Sequence, residues 1–335
     1  MENKYWIGFD LGGTKMLGVV YDSKFQEVGR CRKKTKGHEG AEAGVERICD
    51  VVANALTVAQ VSPEQVGGMG IGCPGPLDLK KGVLKEAPNL GWVDVPIRAK
   101  IEKRFGFPVV VGNDVDFGVF GEYSFGAGKG ARCVVGIFPG TGIGGGCVYE
   151  GKILRGANCT AMEIGHIPIA SGGILDGAGN AGTLEGLASR LAISGAAAQA
   201  AYRGQAPVLL KIAGTDISEI RSGQLAQSID GGDKAVEAIV KQACVHMAQG
   251  VVTLIHLLAP DLVVLGGGLV EAMPDFFLQN VTKAVEKRVL PSLKGVSKIV
   301  VAELGDESTV KGAAAAARQD ILTREPVAEV EAPAL

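Results

Sequence analysis

The segment Asp10 to Lys15 brings a carboxylate, two glycines, a hydroxyl and an amine together directly after the apolar run Tyr5 to Phe9. Backbone N–H groups at glycines and a threonine hydroxyl can bind the oxygens of a polyphosphate, and an adjacent carboxylate suits Mg²⁺. The spacing is not that of a P-loop. Two interpretations therefore remain open: a nucleotide phosphate loop, or the Gly-Gly turn of a hairpin whose second strand is Met16 to Tyr21.

Two further glycine clusters follow apolar runs that are typical of strands. Pro139 to Gly146 contains a second Gly-Thr pair, which is compatible with phosphate binding and equally with a glycine-rich hairpin. Gly266 to Gly268 follows Leu262 to Leu265. Glycines at this place allow the backbone to approach a flat group such as adenine without interference from a Cβ atom.

A candidate catalytic carboxylate stands at the end of another apolar run. Asn113 and Asp114 follow Val109 to Val111 and precede a predicted helix over 115–122. In α/β proteins, ligands bind beyond the carboxyl ends of the strands, which favours a functional role for Asp114. Asp and Asn are also typical helix N-caps, so a structural role stays open.

A second group of polar residues lies further along the chain. The pattern Glu163-Ile-Gly-His166, followed by Glu185, places two acids and an imidazole near glycines. These side chains could bind a ligand, or they could be polar groups that are satisfied beneath a loop.

The elements that must position these residues alternate between strands and helices. Apolar residues at helical spacing predict helices over 43–59 and 233–258. Strands between helices predict an α/β protein with parallel or mixed sheets, and the recurrence of strand followed by glycine predicts two similar halves with a cleft between them. The predicted strands are Tyr5 to Phe9, Met16 to Tyr21, Gly67 to Ile71, Val109 to Val111, Cys133 to Phe138, Gly146 to Tyr149, Leu262 to Leu265 and Lys298 to Ala302.

Composition narrows the function classes. The chain has 335 residues, enough for two domains, and a formal net charge of -2 with both signs interspersed, so no nucleic acid or anionic membrane is expected as a partner. Seven scattered cysteines and the lack of a signal peptide predict reduced thiols in a cytoplasmic protein. No membrane span is expected, because the apolar run Val251 to Ala259 is short and interrupted. Residues 324–335 are expected to form a disordered tail.

Taken in order, the motifs of this chain resemble those of the ROK family, which groups sugar-responsive repressors with sugar kinases such as bacterial glucokinases. The resemblance covers about residues 4 to 318. The motifs are Asp10-Leu-Gly-Gly-Thr-Lys15, Gly72-Cys-Pro-Gly75-Pro, Pro88-Asn89-Leu, Gly112-Asn113-Asp114, Pro139-Gly-Thr-Gly-Ile-Gly-Gly145, Glu163-Ile-Gly-His166, Asn180-Ala-Gly-Thr-Leu-Glu185 and Pro260-Asp-Leu-Val-Val-Leu-Gly-Gly-Gly268.

The resemblance implies an actin-like (ribonuclease H-like) duplicated α/β fold. It predicts a small lobe of residues 1–115 with a returning helix over about 305–323, and a large lobe of residues 116–304. It also implies an ATP-dependent hexose kinase that takes glucose to glucose 6-phosphate in glycolysis, with Mg²⁺ as cofactor. Family members often form homodimers, but no feature of this sequence tests that.

The same resemblance assigns a role to each motif. Asp114 would be the general base that takes the proton of the attacking hydroxyl. The sugar would be bound by Gly75, Asn89, Asn113, Asp114, Glu163, His166 and Glu185. Asp10 would bind Mg²⁺, directly or through water. The phosphates would lie against Gly12, Gly13, Thr14, Lys15, Gly140, Thr141 and Gly142, and the adenosine against Gly266, Gly267 and Gly268.

One motif departs from the family pattern. Most members bind a zinc ion through one histidine and the three cysteines of a Cys-x-Cys-Gly-x-x-Gly-Cys run. The corresponding run here extends from Asp176 to Thr183 and contains no cysteine, although His166 is present. A structural zinc needs four good ligands, so we predict no zinc, and the loop over 170–182 must be held by packing and hydrogen bonds.

Alternative functions keep the fold but change the ligand. N-acetylmannosamine, N-acetylglucosamine, fructose or another polyol could replace glucose, and polyphosphate could replace ATP, although the basic track expected for polyphosphate is absent. A sugar-sensing regulator is the non-enzymatic alternative. The phosphate loop begins at Asp10, which leaves no room before it for a helix-turn-helix domain, and this argues against a repressor.

Overall fold

The computed structural model describes residues 4–157 and 161–323. The expected tail over 324–335 and Cys159 lie outside these residues. The strands are β1 (Tyr5–Leu11), β2 (Lys15–Tyr21), β3 (Glu27–Lys34), β4 (Val66–Cys73), β5 (Leu77–Asp78), β6 (Val83–Ala87), β7 (Trp92–Val95), β8 (Val109–Asn113), β9 (Cys133–Pro139), β10 (Ile143–Tyr149), β11 (Lys152–Ile153), β12 (Leu262–Leu265) and β13 (Lys298–Val301).

The helices differ widely in length. They are α1 (Ala41–Ala59), α2 (Ile97–Phe105), α3 (Asp114–Phe125), α4 (Leu184–Ala188), α5 (Arg190–Tyr202), α6 (Pro207–Ala213), α7 (Ser222–Asp230), α8 (Lys234–Leu258), α9 (Gly267–Ala272), α10 (Pro274–Glu286) and α11 (Ser308–Thr323). The chain divides into two compact units, one running up to Gly121 and resuming at Thr309, the other running from Glu122 to Ser308.

The first unit is built on a five-stranded mixed sheet with the order β3-β2-β1-β4-β8. Strand β2 pairs antiparallel with both β1 and β3, whereas β4 pairs parallel with β1 and β8. Helix α11 approaches this sheet so closely that a Cβ atom on Gly8 or Gly70 would overlap a backbone carbonyl oxygen of the helix. The same unit contains a small antiparallel sheet, β5-β6-β7.

The second unit repeats this strand pattern. Its sheet has the order β11-β10-β9-β12-β13, with an antiparallel meander from β9 to β11 and parallel pairing of β12 with β9 and β13. Its hydrophobic core contains buried side chains from β9 and β12 and from the long helix α8. The prediction of mixed α/β sheets is confirmed.

Helix α8 requires a correction to the membrane prediction. Among the described residues it is the one helix that is long and apolar enough, by length and composition, to cross a membrane. The apolar part of this helix is longer than the run Val251 to Ala259 on which the prediction was based. In the structure, 56% of the most apolar part of this helix is buried within the protein, as in the core helices of soluble proteins.

Candidate functional site

Three parallel strands of the first unit end side by side and bring the predicted acids together. The register places Asp10 of β1 opposite Gly72 of β4, and Cys73 of β4 opposite Asn113 of β8. Burial raises the pKa of the Cys73 thiol, and the negative charges of Asp114 and then Asp10 raise it further. Both carboxylates therefore act on one buried thiol at the carboxyl edge of this sheet.

The first glycine loop is the turn of a hairpin, because Leu11 of β1 pairs with Met16 of β2. The hairpin geometry is compatible with phosphate binding. The buried Thr35 fastens the loop: its hydroxyl donates to the carbonyl of Gly12 at 2.6 Å and its N–H donates to the carbonyl of Thr14 at 2.9 Å. A Cβ atom on Gly12 would lie 2.7 Å from the carbonyl oxygen of Lys15, so this loop conformation requires glycine.

The N-cap role that the sequence left open belongs to Asn113. Its side-chain oxygen accepts the N–H groups of Val115 at 2.9 Å and Asp116 at 3.1 Å, the pattern of a helix cap. Asp114 is the first residue of α3 and is half-buried; its Oδ1 accepts the Val115 N–H at 2.9 Å, and its carbonyl accepts the Thr309 hydroxyl at 3.2 Å.

Two further predicted residues of the first unit lie on surface turns. Asn89 is exposed, and a Cβ atom on Gly13 would lie 3.6 Å from the Asn89 Cβ, so Asn89 borders the phosphate loop. Gly75 has a φ of 80° and leaves no space for a side chain, because a Cβ atom there would overlap the carbonyl oxygen of Glu86.

The second glycine cluster is also a hairpin turn, in the second unit. The N–H of Gly140 donates to the carbonyl of Gly142 at 2.8 Å between β9 and β10. The side chain of Arg190 donates to the Thr141 hydroxyl at 2.9 Å, and its backbone N–H donates to the Gly140 carbonyl at 3.0 Å. Burial and then the nearby charge of Arg221 lower the pKa of Arg190.

The third glycine cluster lies next to this turn. The Gly266 N–H donates to the carbonyl of Ile137 at 3.1 Å, so β12 ends beside β9. A Cβ atom on Gly266 would lie 2.7 Å from the ring of Phe138, and one on Gly267 would lie 2.8 Å from the carbonyl oxygen of Pro139. Packing within the protein thus requires glycine at Gly266 and Gly267, whereas a Cβ atom on Gly268 would meet only the Ser222 hydroxyl at 3.7 Å.

The second group of polar residues, which contains Glu163, His166 and Glu185, lies in the second unit. His166 Nδ1 lies 2.8 Å from Oδ2 of Asp176, whose side chain is fully buried. Glu185 accepts the N–H of Gly177 through Oε1 and that of Ile143 through Oε2, both at 2.9 Å. Glu163 is exposed, immediately before the short helix Ile164–His166.

The charges of this cluster shift its pKa values. Burial lowers the pKa of His166, but the hydrogen bond that it donates to Asp176 and the charges of Glu185, Asp176 and Glu163 outweigh it, so the pKa is raised overall. Burial would raise the pKa of Asp176, but bonds from His166, Asn180, Thr183 and Ala178 hold it well below its ordinary range. Both shifts favour the charged pair.

The side chains of these sites fit Mg²⁺ but not zinc. In residues 4–157 and 161–323, no group of three or more His, Cys, Asp or Glu side chains is arranged to hold a metal ion. His166 Nδ1 is engaged by Asp176, and the positions of the family's three thiolates hold Asp176, Ala178 and Thr183, which do not fit zinc. A single carboxylate such as Asp10 beside a phosphate loop does fit Mg²⁺, which keeps several waters and binds substrate phosphates.

Three residues that the sequence reasoning missed or misjudged thus belong to these sites. Thr35 and Arg190 fasten the two glycine turns but lie far from them in sequence, outside any motif. Asp176 was considered only as an inadequate zinc ligand, whereas the structure gives it the partner His166. The one sequence signal for this role is an aspartate directly before a glycine, which is typical of a turn in which the carboxylate accepts backbone N–H groups.

Comparison with known proteins identifies the family of this chain. The ROK family profile matches residues 6–320. The glucokinase of Streptomyces coelicolor is 32% identical over 316 residues, covering 93% of this chain and 97% of its own. A xylose repressor of Caldicellulosiruptor bescii is 26% identical over 317 residues, covering 95% of this chain and 79% of its own.

Solved structures extend the comparison to the fold. A ROK family glucokinase from Streptomyces griseus, in complex with glucose and AMPPNP, is 32% identical, with a TM-score of 0.82 over 94% of this chain and 99% of its own. A ROK hexokinase from Thermus thermophilus is 30% identical, with a TM-score of 0.79 over 96% of this chain and 100% of its own. The chain belongs to the ROK family.

Proposed function

We propose that this protein is a glucokinase-like sugar kinase that transfers the γ-phosphate of ATP to a hexose, converting glucose to glucose 6-phosphate. The observation that carries the proposal is the pair Asp10 and Asp114, whose charges both act on Cys73 at the end of three adjacent strands, beside the Gly12 to Lys15 turn. The Streptomyces griseus relative, solved with glucose and AMPPNP, supports the choice of both substrates.

In this proposal Asp114 is the general base. Asn113 caps α3 through two N–H groups, and the carboxylate of Asp114, whose Oδ1 accepts the Val115 N–H, can also accept a proton from the sugar hydroxyl. Phosphoryl transfer depends mainly on in-line positioning and neutralisation of charge, so one base and well-placed donors suffice.

The glycine turns would hold the nucleotide. The backbone and side chains of Gly12 to Lys15 and of Gly140 to Gly142 would bind the phosphates, and Gly266 to Gly268 would lie against the adenosine. Mg²⁺, held by Asp10 directly or through water, would neutralise the phosphate charge when bound. Thr35 and Arg190 would keep the two turns in place.

The sugar would be recognised by hydrogen bonds to its hydroxyls. We assign this role to Asn89 and Asn113 with the Gly75 turn, and to Glu163, His166 and Glu185. These side chains suit several hexoses, and one unpaired polar group costs about 1 to 3 kcal/mol, so the choice of sugar rests on one or two contacts. We further propose that residues 1–115 and 305–323 form a small lobe and that residues 116–304 form a large lobe.

The test is an ADP-release assay over hexoses, N-acetylhexosamines and polyols, with ATP or polyphosphate as donor. We expect glucose with ATP to give the highest kcat/KM, and Asp114→Asn to lower kcat by a factor of about 100 or more, the usual contribution of a general base. The matched control is Asp50→Asn, at an exposed carboxylate of α1 in the same unit.

Each outcome has a distinct meaning. Full activity of Asp114→Asn would refute the assignment of the base, and a better sugar than glucose would replace the substrate while keeping the reaction. Binding of a sugar without turnover of any would favour a sugar-sensing regulator, the function class to which the Caldicellulosiruptor relative belongs.

A further inference from the structure

Asp176 is a buried carboxylate that accepts hydrogen bonds from three groups. Oδ1 accepts the N–H groups of Ala178 at 3.0 Å and Asn180 at 2.8 Å. Oδ2 lies 2.8 Å from Nδ1 of His166. The side chain is fully buried, so these partners replace the water that would otherwise solvate the charge.

The chemistry of this cluster fixes the proton on His166. An ionised carboxylate can only accept hydrogen bonds, so the imidazole must carry a proton on Nδ1 to bond to Asp176. The ring is then held in one orientation, and Nε2 is the nitrogen available to a ligand. The side chain of His166 keeps 35% of its surface exposed, which leaves room for that contact.

The cluster continues to Glu185 and to the second glycine turn. The Thr183 hydroxyl accepts the N–H of Gly186 at 3.2 Å and so caps α4, the helix that carries Glu185. Glu185 then joins Gly177, next to Asp176, to Ile143, at the end of the turn Gly140 to Gly142. Hydrogen bonds and the peptide link between Asp176 and Gly177 thus connect His166 with the turn proposed to bind phosphate.

We propose that Asp176 is a positioning residue of the sugar site: it fixes the orientation and the Nδ1 proton of His166 and, through the turn whose Gly177 N–H binds Glu185, the position of Glu185. Asp176 and Thr183 occupy two of the three positions at which most family members have zinc-binding thiolates. In this protein, hydrogen bonds hold the loop in place of a zinc ion. This inference rests on the proposed function only in its claim that His166 and Glu185 bind the sugar.

The kinetic test compares Asp176→Asn with wild type. An amide cannot accept from all three donors, because its NH₂ must face one side of the site. Loss of partners that orient a binding histidine typically costs about 10- to 100-fold, so we expect KM for the sugar to rise at least about tenfold. KM for ATP should change much less. The control is Asp216→Asn, an exposed aspartate whose Oδ1 accepts the N–H and hydroxyl of Ser218 in the same unit.

A second arm reads the histidine itself and does not depend on activity. The chain contains four histidines, so His166→Asn identifies the His166 signals in long-range proton–nitrogen NMR spectra. We expect Nδ1 of His166 to be protonated at neutral pH in the wild type and to lose that preference in Asp176→Asn. Metal analysis of the purified wild type should show far less than one zinc per chain.

The outcomes separate the two proposals. A wild-type His166 with Nδ1 unprotonated, or stoichiometric zinc, would overturn the pairing even if the enzyme is active. A sugar KM unchanged in a folded Asp176→Asn variant would overturn the positioning role. If wild type turns over no sugar, the proposed function fails, while the NMR result still decides whether Asp176 holds His166. If Asp176→Asn does not fold, Asp176→Glu, which keeps the charge but displaces the carboxylate by one methylene, takes its place in both arms.

Discussion

His166 and Asp176 show how two residues can link stability to pH. Both pKa shifts favour the charged forms in the folded protein, upward for His166 and downward for Asp176. A raised histidine pKa contributes stability that is complete below about 6.5 and is lost as the pH rises through the folded value. A lowered aspartate pKa contributes stability that is complete above about 3.9 and is lost as the pH falls.

We therefore expect the pair to stabilise the protein most between about pH 4 and pH 6.5. His166→Asn should lower the midpoint of urea unfolding more at about pH 5.5 than at about pH 8.5. His38→Asn, at an exposed histidine, is the matched control and should show no such difference. An equal loss for His166→Asn at both pH values would contradict the linkage.

Asn113, Asp114 and Thr35 show how much of a site can be predicted from the sequence. The types and spacing of Asn113 and Asp114 were enough to identify a candidate site but not to divide the roles, because a cap depends on which oxygen meets the N–H groups of the next turn. Thr35 could not be predicted at all. Its contact with Gly12 joins residues 23 positions apart, and threonine at the end of a strand carries no signal of it.

At the scale of elements, the second glycine turn depends on a helix that the sequence argument did not include. Arg190 begins α5 and bonds to Thr141 through its side chain and to Gly140 through its backbone. Removing the guanidinium frees the Thr141 hydroxyl but leaves the backbone bond. The turn should then keep its place and lose its fixed side-chain geometry.

Arg190→Gln is therefore expected to raise KM for ATP by about tenfold, a cost of about 1.4 kcal/mol, while KM for the sugar changes little. Steady-state kinetics with each substrate varied in turn measure both constants. Arg203→Gln, at an exposed arginine just after the end of the same helix, is the control. Equal increases of the two KM values would show that Arg190 supports the fold and not the turn.

The packing of α11 on the first sheet gives a second prediction for an element. A Cβ atom on Gly70 would overlap the carbonyl oxygen of Ala313, so Gly70→Ala must displace the helix or the strand. Overpacking of this kind costs about 1 to 3 kcal/mol and sometimes more, so the urea midpoint should fall. Gly195→Ala is the control, because no atom lies within 4 Å of its Cβ position in α5, and it should be neutral or stabilising.

The elements themselves were predicted to different degrees. Apolar runs such as Tyr5 to Phe9 predicted the central strands, because strands buried on both faces have continuous apolar sequences. The edge strand β3, Glu27–Lys34, was missed, since most of its side chains are exposed and charged. Helix α5 was missed because its sequence is rich in alanine, which weakens the 3.6-residue pattern.

At the scale of the whole molecule, buried thiols report on both compact units. Cys73 is buried in the first unit, and Cys133 and Cys244 are buried in the second; burial raises the pKa of each. Cys31 is the one cysteine among the described residues that is partly exposed. Since the thiolate is the reactive form, a thiol reagent should modify Cys31 first and the buried thiols only when their unit opens.

A ligand that binds the folded protein lowers the population of such open states. The stabilisation is RT ln(1 + [L]/Kd), about 2.7 kcal/mol at 100 times Kd, so binding of a substrate can slow labelling by up to about 100-fold. We expect glucose with Mg²⁺ and a non-hydrolysable ATP analogue to slow labelling of Cys73, Cys133 and Cys244, followed by mass spectrometry of the labelled peptides. Cys31 is the internal control and should be unaffected. Substrates must bind the folded protein to be turned over. The sugar kinase proposal is therefore contradicted if glucose does not slow the labelling, or if a polyol that is not a substrate slows it as much as glucose does.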